Sequence, residues 1–218
     1  MDNLFRSQFG KPSGLFGSVF MGPLLNLANM RVVNTTIEML HPSPKDKVLD
    51  VGFGGGYSLI SLARLVPRGE IVGVDYSTEM VARAATMIQQ RGLGKRVQVE
   101  CADVANLPFR DRIFDQAVSV NSIYYWPDPV AGLREIARVL KPEGRLAIGV
   151  RSPASLRLFT LTWQGFNLYE RRELERMMGE AGLSVLPQRD WEWWRIPDLV
   201  VVVGERKTKE GDRTNDHQ

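Results

Sequence analysis

The sequence predicts an α/β protein with a doubly wound, mostly parallel sheet. Between Lys47 and Val150, short apolar segments alternate five times with segments of helical periodicity. Strands that are connected through helices lie parallel, and their crossovers are right-handed. Two further strands, Ser184–Trp194 and Leu199–Arg206, are joined by a short turn at Pro197, so they form an antiparallel hairpin.

Each element is predicted from its periodicity and its flanking turn residues. Helical spacing of apolar residues predicts a first helix over Val19–Leu40, which the Pro-rich turn after His41 ends. The five parallel strands are predicted at Lys47–Val51, Ile71–Val74, Val97–Cys101, Ile113–Val120 and Arg145–Val150. The later helices are predicted at Tyr57–Val66, from the Ser77 cap to about Arg91, at Pro129–Leu140, at Ser155–Asn167 and at Glu170–Ala181. A loop is predicted over Asp103–Arg112 and a turn over Lys141–Gly144.

Composition excludes several classes of function. The net charge is only +3, and basic residues alternate with acidic ones, so no nucleic-acid footprint is expected. One cysteine (Cys101) and two histidines (His41 and His217) exclude an intramolecular disulfide and a Cys- or His-rich metal site, and no metal is predicted. Neither a signal peptide nor an apolar run long enough to span a membrane is found, which predicts a cytoplasmic protein.

The most specific signal is the glycine loop that follows the first strand of the predicted sheet. Residues 52–57 read Gly-Phe-Gly-Gly-Gly-Tyr, so a dinucleotide fingerprint fails at Tyr57, where it requires glycine. Asp50 precedes the loop by two residues. Beside a pyrophosphate it would be repelled by roughly 3 kcal/mol at about 5 Å and an effective dielectric constant of about 20. A ligand that carries an ammonium and a sulfonium reverses the sign, so the loop favours S-adenosylmethionine over NAD.

Two further carboxylates follow strands of the predicted sheet. Asp75 ends the second strand, where ligands of open α/β sheets bind, and its carboxylate can accept both ribose hydroxyls. The alternative is a solvated acid at a strand end. Asp103 follows the third strand and can accept the adenine amino group, with the Val104 amide on a ring nitrogen; the alternative is a helix N-cap. Tyr76 and Met80 can pack on the adenine, although Met80 suits the core equally well.

Several segments in this order resemble class I S-adenosylmethionine-dependent methyltransferases, in particular the branch of ubiquinone and menaquinone biosynthesis. The segments are VLDVGFGGG, VGVDYSTEM, ADVANLPFRDRIFD, AVSVNSIYYWPDP and LREIARVLKPEGRLAIG, within roughly residues 45–206. The resemblance implies a seven-stranded Rossmann-like sheet in which the last hairpin places one antiparallel strand. It also implies that the N-terminal helix covers the cofactor as a lid, and that regions such as 1–18 and 151–170 hold the substrate.

These arguments define a single domain and a set of site residues. The domain is predicted over residues 1–206, with the arm and lid helix in residues 1–44 and a disordered polar tail in 207–218. The predicted cofactor-binding residues are Asp50, Gly52, Phe53, Gly54, Gly56, Asp75, Tyr76, Met80, Ala102, Asp103, Val104 and Asn121. The predicted substrate-binding residues are Phe20, Met21, Tyr124, Tyr125 and Trp126. Trp126 precedes Pro127 and could equally pack under the next helix.

The predicted function is methyl transfer from S-adenosylmethionine to a small apolar or aromatic acceptor. No catalytic base is identified, and His41 is interpreted as a surface turn residue. Alignment contributes much of the rate in such a displacement, so a missing base does not exclude the activity. The alternatives are a nicotinamide-linked oxidoreductase and a cofactor-binding scaffold without catalysis. Trp191, Trp193 and Trp194 either pack in the core or form a homodimer interface.

Overall fold

The computed structural model describes residues 22–153, 167–187 and 199–207. The chain divides into two units, Met1–Arg31 and Val32–Gln218, and the boundary falls within the first helix. Several predicted features lie outside the described residues: the arm, Phe20 and Met21, most of the helix predicted at Ser155–Asn167, the tryptophan cluster with the Pro197 turn, and the tail from residue 208. The single domain over residues 1–206 stays a prediction.

Helices and strands alternate along the described chain as the periodicity predicts. The helices are α1 Gly22–Leu40, α2 Tyr57–Leu65, α3 Thr78–Gln90, α4 Pro129–Val139 and α5 Arg171–Glu180. The strands are β1 Lys47–Val51, β2 Glu70–Asp75, β3 Val97–Cys101, β4 Phe114–Val120, β5 Leu140–Arg151, β6 Leu183–Val185 and β7 Leu199–Arg206. Side-chain caps begin two of these helices: Ser77 accepts from the Met80 amide and Asp128 from the Ala131 amide.

In the described residues the strands form one seven-stranded sheet in the order β3-β2-β1-β4-β5-β7-β6. The strands β1 to β5 pair in parallel, and β7 runs antiparallel to both of its neighbours. The predicted Rossmann-like α/β fold, with one antiparallel strand from a C-terminal hairpin, is confirmed. The chain order reverses between β1 and β4, so these two strands lie side by side at the switch point, where open α/β sheets bind their ligands.

Each face of the sheet is covered by its own hydrophobic core. Alternate residues of β1 divide between them: Leu49 and Val51 join the core that includes α4 and α5, whereas Val48 joins the core that includes α2 and the end of α1. Thr36 of α1 lies so close to β5 that a Cβ on Gly149 would meet its hydroxyl oxygen at 1.8 Å. Only glycine permits this approach of helix and strand.

Two of the predicted boundaries were wrong. The Lys141–Gly144 turn lies inside β5: Leu140 pairs with Phe114, and pairing resumes only at Arg145 with Gln116. The residues between loop out, with Glu143 in the left-handed region at φ 62°. The turn itself was predicted correctly. However, β5 pairs with β4 on both sides of the turn, and this pairing depends on residues about 25 positions earlier in the sequence. The strand predicted from Ser184 is β6, which ends at Val185.

Candidate functional site

The glycine loop joins β1 to α2 at the switch point of the sheet. Gly52, Gly54 and Gly56 all have positive φ, at 74°, 50° and 80°. A Cβ on Gly52 would lie 2.4 Å from the Cβ of Ser122, so β4 and the loop meet there without room for a side chain. A Cβ on Gly54 or Gly55 would have no neighbour within 4 Å. The outer side of the loop is therefore open, while its inner side is packed against the sheet.

Asp50 lies on β1 just before the loop and is only 1% exposed. Its Oδ2 is fully buried and has no hydrogen-bond partner. Burial raises the pKa of Asp50 to about 7, hydrogen bonding to Ser58 opposes this increase, and the negative charge of Asp75 adds to it. A buried carboxylate of this kind is costly to ionise without a nearby cation. A positively charged group beside Asp50 would lower the cost of ionising this carboxyl.

Asp75, at the end of β2, connects the tip of that strand to the glycine loop. Its Oδ2 accepts a hydrogen bond from the Gly54 amide at 2.9 Å, and its Oδ1 accepts one from the Ser77 amide at 2.9 Å. Each carboxylate oxygen retains acceptor capacity for a further donor. The side chain is only partly buried, so a ligand on the open side of the loop can reach it.

The sequence reasoning missed Ser119 and Ser122, two serines that support the loop from β4. Their hydroxyl oxygens lie 2.6 Å apart in the buried interior, and Ser122 Oγ donates to the Val51 carbonyl at 3.1 Å. Together with the close approach to Gly52, this contact fixes where the loop leaves β1. No local pattern reveals the role, because the two partners are 71 residues apart in sequence.

The loop after β3 places Asp103 at the same edge of the sheet. Asp103 Oδ1 accepts from the Ala105 amide at 2.9 Å, and the residue begins a tight turn rather than a helix. Asp103 is exposed, Ala102 is half-buried, and the Val104 side chain is buried in the core. Arg138 of α4 fastens the rest of the loop by donating to the carbonyls of Leu107 and Phe109 at 3.0 and 2.8 Å.

The tip of β4 carries a second group of predicted site residues. Asn121 has φ 52°, and its Oδ1 accepts from the Arg151 amide of β5 at 3.3 Å. The Tyr124 hydroxyl donates to the Arg151 carbonyl at 3.1 Å. Residues Ile123–Tyr125 form a short 3-10 helix that the sequence did not predict. Burial raises the pKa of both the Tyr124 and the Tyr125 hydroxyl, so neither is a phenolate base at neutral pH.

The remaining aromatic and apolar candidates divide by exposure. Tyr76 and Tyr125 are large side chains left 64% and 54% exposed, which suits contact with a ligand. Only 7% of Trp126 is exposed, and its ring lies close to Gly132 of α4. This position favours the interpretation that Trp126 packs under the next helix. Met80 packs against the core on the α2 side, while the Phe53 ring is buried near Gly73, so only its backbone belongs to the loop.

Other sequence candidates contribute nothing to this site. His41 is exposed and ends α1 with φ 51°, as its interpretation as a turn residue requires. The described ranges hold no group of three or more His, Cys, Asp or Glu side chains that could bind a metal ion. In the same ranges, no helix has both the length and the apolarity needed to cross a membrane.

Comparison with known proteins supports the predicted resemblance. Residues 49–148, which run from β1 to β5 and include the glycine loop, match the family model of a methyltransferase domain. Through this segment the chain is similar to the methyltransferase domain family. The predicted resemblance is confirmed, because the matched relatives also include the menaquinone branch: a demethylmenaquinone methyltransferase of Lactobacillus johnsonii is 33% identical over 56% of this chain and 50% of its own length.

Two further matches lie outside the menaquinone branch. Methyltransferase GfsG of Streptomyces halstedii is 34% identical over 75% of this chain and 62% of its own length. The chain thus spans half to about three fifths of these two curated relatives. Among solved structures, the [4+2]-cyclase SpnF superposes with a TM-score of 0.70 at 21% identity, over 83% of this chain and 81% of that one. At this identity the likeness shows the fold alone.

Proposed function

We propose that the protein transfers a methyl group from S-adenosylmethionine to a small-molecule acceptor. The observation that carries this proposal is the buried Asp50 carboxylate, whose Oδ2 has no hydrogen-bond partner, directly before the open glycine loop. The methyltransferase family of residues 49–148 supports it. Two relatives are named for different acceptors, 27-O-demethylrifamycin SV and demethylmenaquinone, so the resemblance alone does not select one.

The polar groups at the strand tips fit S-adenosylmethionine. Asp50 would face the methionine ammonium, directly or through water, and its raised pKa is the signature of a carboxylate that lacks a cation. Asp75 would accept the ribose hydroxyls on the lone pairs that the Gly54 and Ser77 amides leave. Asp103 would accept the adenine amino group, with the exposed Tyr76 ring beside the base.

The same groups disfavour a nicotinamide dinucleotide. Tyr57 stands where a dinucleotide loop needs its third glycine, and its hydroxyl is held by the Asn34 side chain at 3.2 Å. Asp50 would also oppose a pyrophosphate. The oxidoreductase alternative therefore conflicts with both the shape and the charge of the loop.

When bound, the cofactor would supply an electrophilic methyl carbon on its sulfonium; the acceptor atom would form a bond to that carbon while the C–S bond breaks and S-adenosylhomocysteine leaves. The protein contributes binding, alignment and exclusion of water. Asn121, Tyr124 and Tyr125 stand at the tip of β4, beside the loop, where the reacting atoms would meet. The hydroxyls of Tyr124 and Tyr125 keep their protons at neutral pH, which favours an acceptor that is already nucleophilic or that ionises readily.

Cofactor titration tests the proposal. S-adenosylmethionine and S-adenosylhomocysteine are expected to bind, and NAD only feebly. Asp75→Ala should weaken both adenosyl ligands at least about tenfold, because two ribose hydroxyls lose a charged acceptor. Glu70→Ala is the matched control, since Glu70 lies at the opposite end of the same strand and pairs only with Lys47 at the surface. Micromolar NAD affinity, or an unchanged Asp75→Ala affinity, contradicts the proposal.

Turnover separates an enzyme from a scaffold that only binds the cofactor. A panel of small apolar and aromatic metabolites should contain an acceptor whose presence yields S-adenosylhomocysteine, and a protein that binds cofactor but never turns over would be a scaffold. The lid role of the N-terminal helix, a homodimer and a cytoplasmic location stay predictions.

A further inference from the structure

The guanidinium of Arg138 in α4 is bonded both to its own helix and to the loop after β3. Its Nε and one Nη donate to the two carboxylate oxygens of Glu135, both at 2.8 Å. Its other bonds reach the loop: they run to the Leu107 carbonyl at 3.0 Å, to the Phe109 carbonyl at 2.8 Å and to Asp111 Oδ1 at 2.7 Å. A guanidinium has five N–H groups, and these five bonds use them all.

Glu135 completes the connection between α4 and the loop. Its Oε2 accepts from the Leu107 amide at 3.0 Å, so side chains of α4 bond both the amide and the carbonyl of Leu107. Only 3% of Leu107 is exposed, and the residue belongs to no strand. Buried backbone groups need hydrogen-bond partners. Glu135 and Arg138 therefore supply the partners that a neighbouring strand would otherwise provide.

The loop also packs on α4 one turn earlier. A Cβ on Gly132 would lie 3.2 Å from both methyl carbons of Val104, so the Val104 side chain lies directly on that turn of the helix. Gly132, Glu135 and Arg138 follow one another at intervals of three residues, and residues three apart are neighbours on a helix surface. They meet the loop in the order in which its residues occur in the chain. The loop is therefore held along α4 in a defined register.

The start of the same loop is fixed by β2. The Ala102 amide donates to the Asp75 carbonyl at 3.1 Å, and the Asn106 amide closes the next turn on the Asp103 carbonyl at 3.0 Å. Asp103 and Val104, the residues proposed to bind adenine, thus lie between one anchor on the sheet and one on α4. Both anchors determine where the Asp103 carboxylate lies relative to Asp75, the proposed ribose acceptor.

We propose that Glu135 and Arg138 are positioning residues for base recognition, which hold the loop so that the Asp103 carboxylate meets the adenine amino group of the cofactor. This inference rests on the proposed methyl-transfer function and concerns the same site. Both residues act through the loop. A carboxylate accepts from an amino group and is repelled by a carbonyl oxygen, and this discrimination requires hydrogen-bond distance. Loosening the loop should therefore reduce selectivity for the base.

Titration of the full-length protein with S-adenosylhomocysteine and S-inosylhomocysteine tests the inference. The inosyl ligand carries a carbonyl oxygen where adenine has its amino group. The wild-type protein should bind the adenosyl ligand at least about tenfold more tightly. Arg138→Lys keeps the charge but not the planar fork, and it should reduce this preference to less than about threefold by weakening the adenosyl ligand. The inosyl affinity should stay within about twofold of its wild-type value.

Two further variants control this measurement. Arg134→Lys is the matched control, because Arg134 is an exposed arginine of the same helix, and the preference should not change. Glu135→Gln replaces one acceptor oxygen by a donor, so the paired bonds to Arg138 are lost and the preference should fall. Combining Glu135→Gln with Arg138→Lys should add little to either change, since the two side chains act as one unit.

The inference is overturned if Arg138→Lys keeps the tenfold preference, or if it weakens both ligands equally, as a general loss of structure would. Where Arg138→Lys does not fold, Glu135→Gln decides by the same criterion. Loss of folding in both variants would also overturn the inference, because the two side chains would then serve the fold alone.

The wild-type titrations separate this inference from the proposed function. Failure of S-adenosylhomocysteine to bind the wild-type protein would refute the methyl-transfer proposal itself. Equal wild-type affinity for the two ligands would refute the adenine role of Asp103, and with it the positioning role of α4. Selective binding by the wild-type protein and by Arg138→Lys alike would refute the positioning role alone.

Discussion

At the scale of single residues, Asp50 is a carboxylic acid that is almost completely buried in the site. Its carboxylate lies inside the sheet, close enough to Asp75 to be repelled by it, and its Oδ2 has no hydrogen-bond partner. In the protein without ligand, burial makes ionisation of the Asp50 carboxyl unfavourable. Its arrangement makes sense when a cation arrives with the ligand, since the ionised carboxylate then gains a partner.

We predict that S-adenosylmethionine binding releases a proton from Asp50 below pH 7. The pKa of Asp50 is about 7 in the free protein, so most of the carboxyl is protonated at pH 6, and the cationic ligand favours ionisation. The affinity should rise roughly fivefold from pH 6 to pH 7 and level off above about pH 8. Calorimetry at pH 6 in two buffers of different ionisation enthalpy measures the proton release, and equal enthalpies would refute it.

Asp50→Asn provides the control for this titration. The variant should lose the pH dependence and bind the cofactor more weakly. The same residue affects stability with a defined sign: its folded-state pKa is raised above the unfolded value, so its favourable contribution is complete below about pH 4 and is lost as the pH rises through about 7. Chemical denaturation at pH 8 should consequently find Asp50→Asn at least as stable as the wild-type protein.

At the scale of elements, the glycine loop is determined by its contacts on both sides. Asp75 holds it through the Gly54 amide, and Ser122 supports it through the Val51 carbonyl. The left-handed conformations of Gly52, Gly54 and Gly56 are the backbone requirement for this path. Strand tips and loop thus position one another before any ligand binds.

We predict that Gly52→Ala destabilises the protein by about 2 kcal/mol or more, because the new Cβ would meet Ser122 at 2.4 Å and φ is 74°. The cofactor affinity should fall with it. Gly55→Ala is the matched control, since its φ is not positive and its Cβ has no neighbour within 4 Å; its stability should change by less than about 0.5 kcal/mol. Urea denaturation measures both, and equal effects at the two positions would contradict the steric argument.

At the scale of the whole molecule, the boundary between the two units falls inside helix α1. The Val32–Leu40 part belongs with the sheet, where Thr36 packs against Gly149, whereas Gly22–Arg31 belongs to the preceding unit. The lid that the family resemblance implies for the N-terminal helix stays a prediction.

We predict that deleting residues 1–18 impairs turnover more than it impairs cofactor binding, because the proposed cofactor contacts all come from the sheet and its loops. Hydrogen exchange in residues 10–30 should slow when cofactor and acceptor are both bound. Normal turnover of the truncated protein, or exchange that ignores both ligands, would leave the arm without a catalytic role.

Prediction from sequence succeeded where local signals are strong and failed where distant partners decide. The strand–glycine loop–helix unit, the Ser77 cap and the order of elements all follow from local periodicity and turn chemistry. The continuation of β5 through the 141–144 turn depends on Phe114 of β4, and the support of the loop by Ser122 depends on Val51. Neither leaves a local trace in the sequence.

By itself, the sequence determined the α/β class, the position of the ligand loop and the sign of the charge beside it, because glycines and a nearby acid act over a few residues. Only the tertiary structure decided that Asp50 is buried with its Oδ2 unbonded, that Asp75 holds the glycine loop through the Gly54 amide, and that the main chain of Arg151 bonds to Asn121 and Tyr124. The physical reason is that burial, and with it the cost of a charge, is a property of the assembled sheet. It depends on strands far apart in the chain, whose packing no single segment encodes.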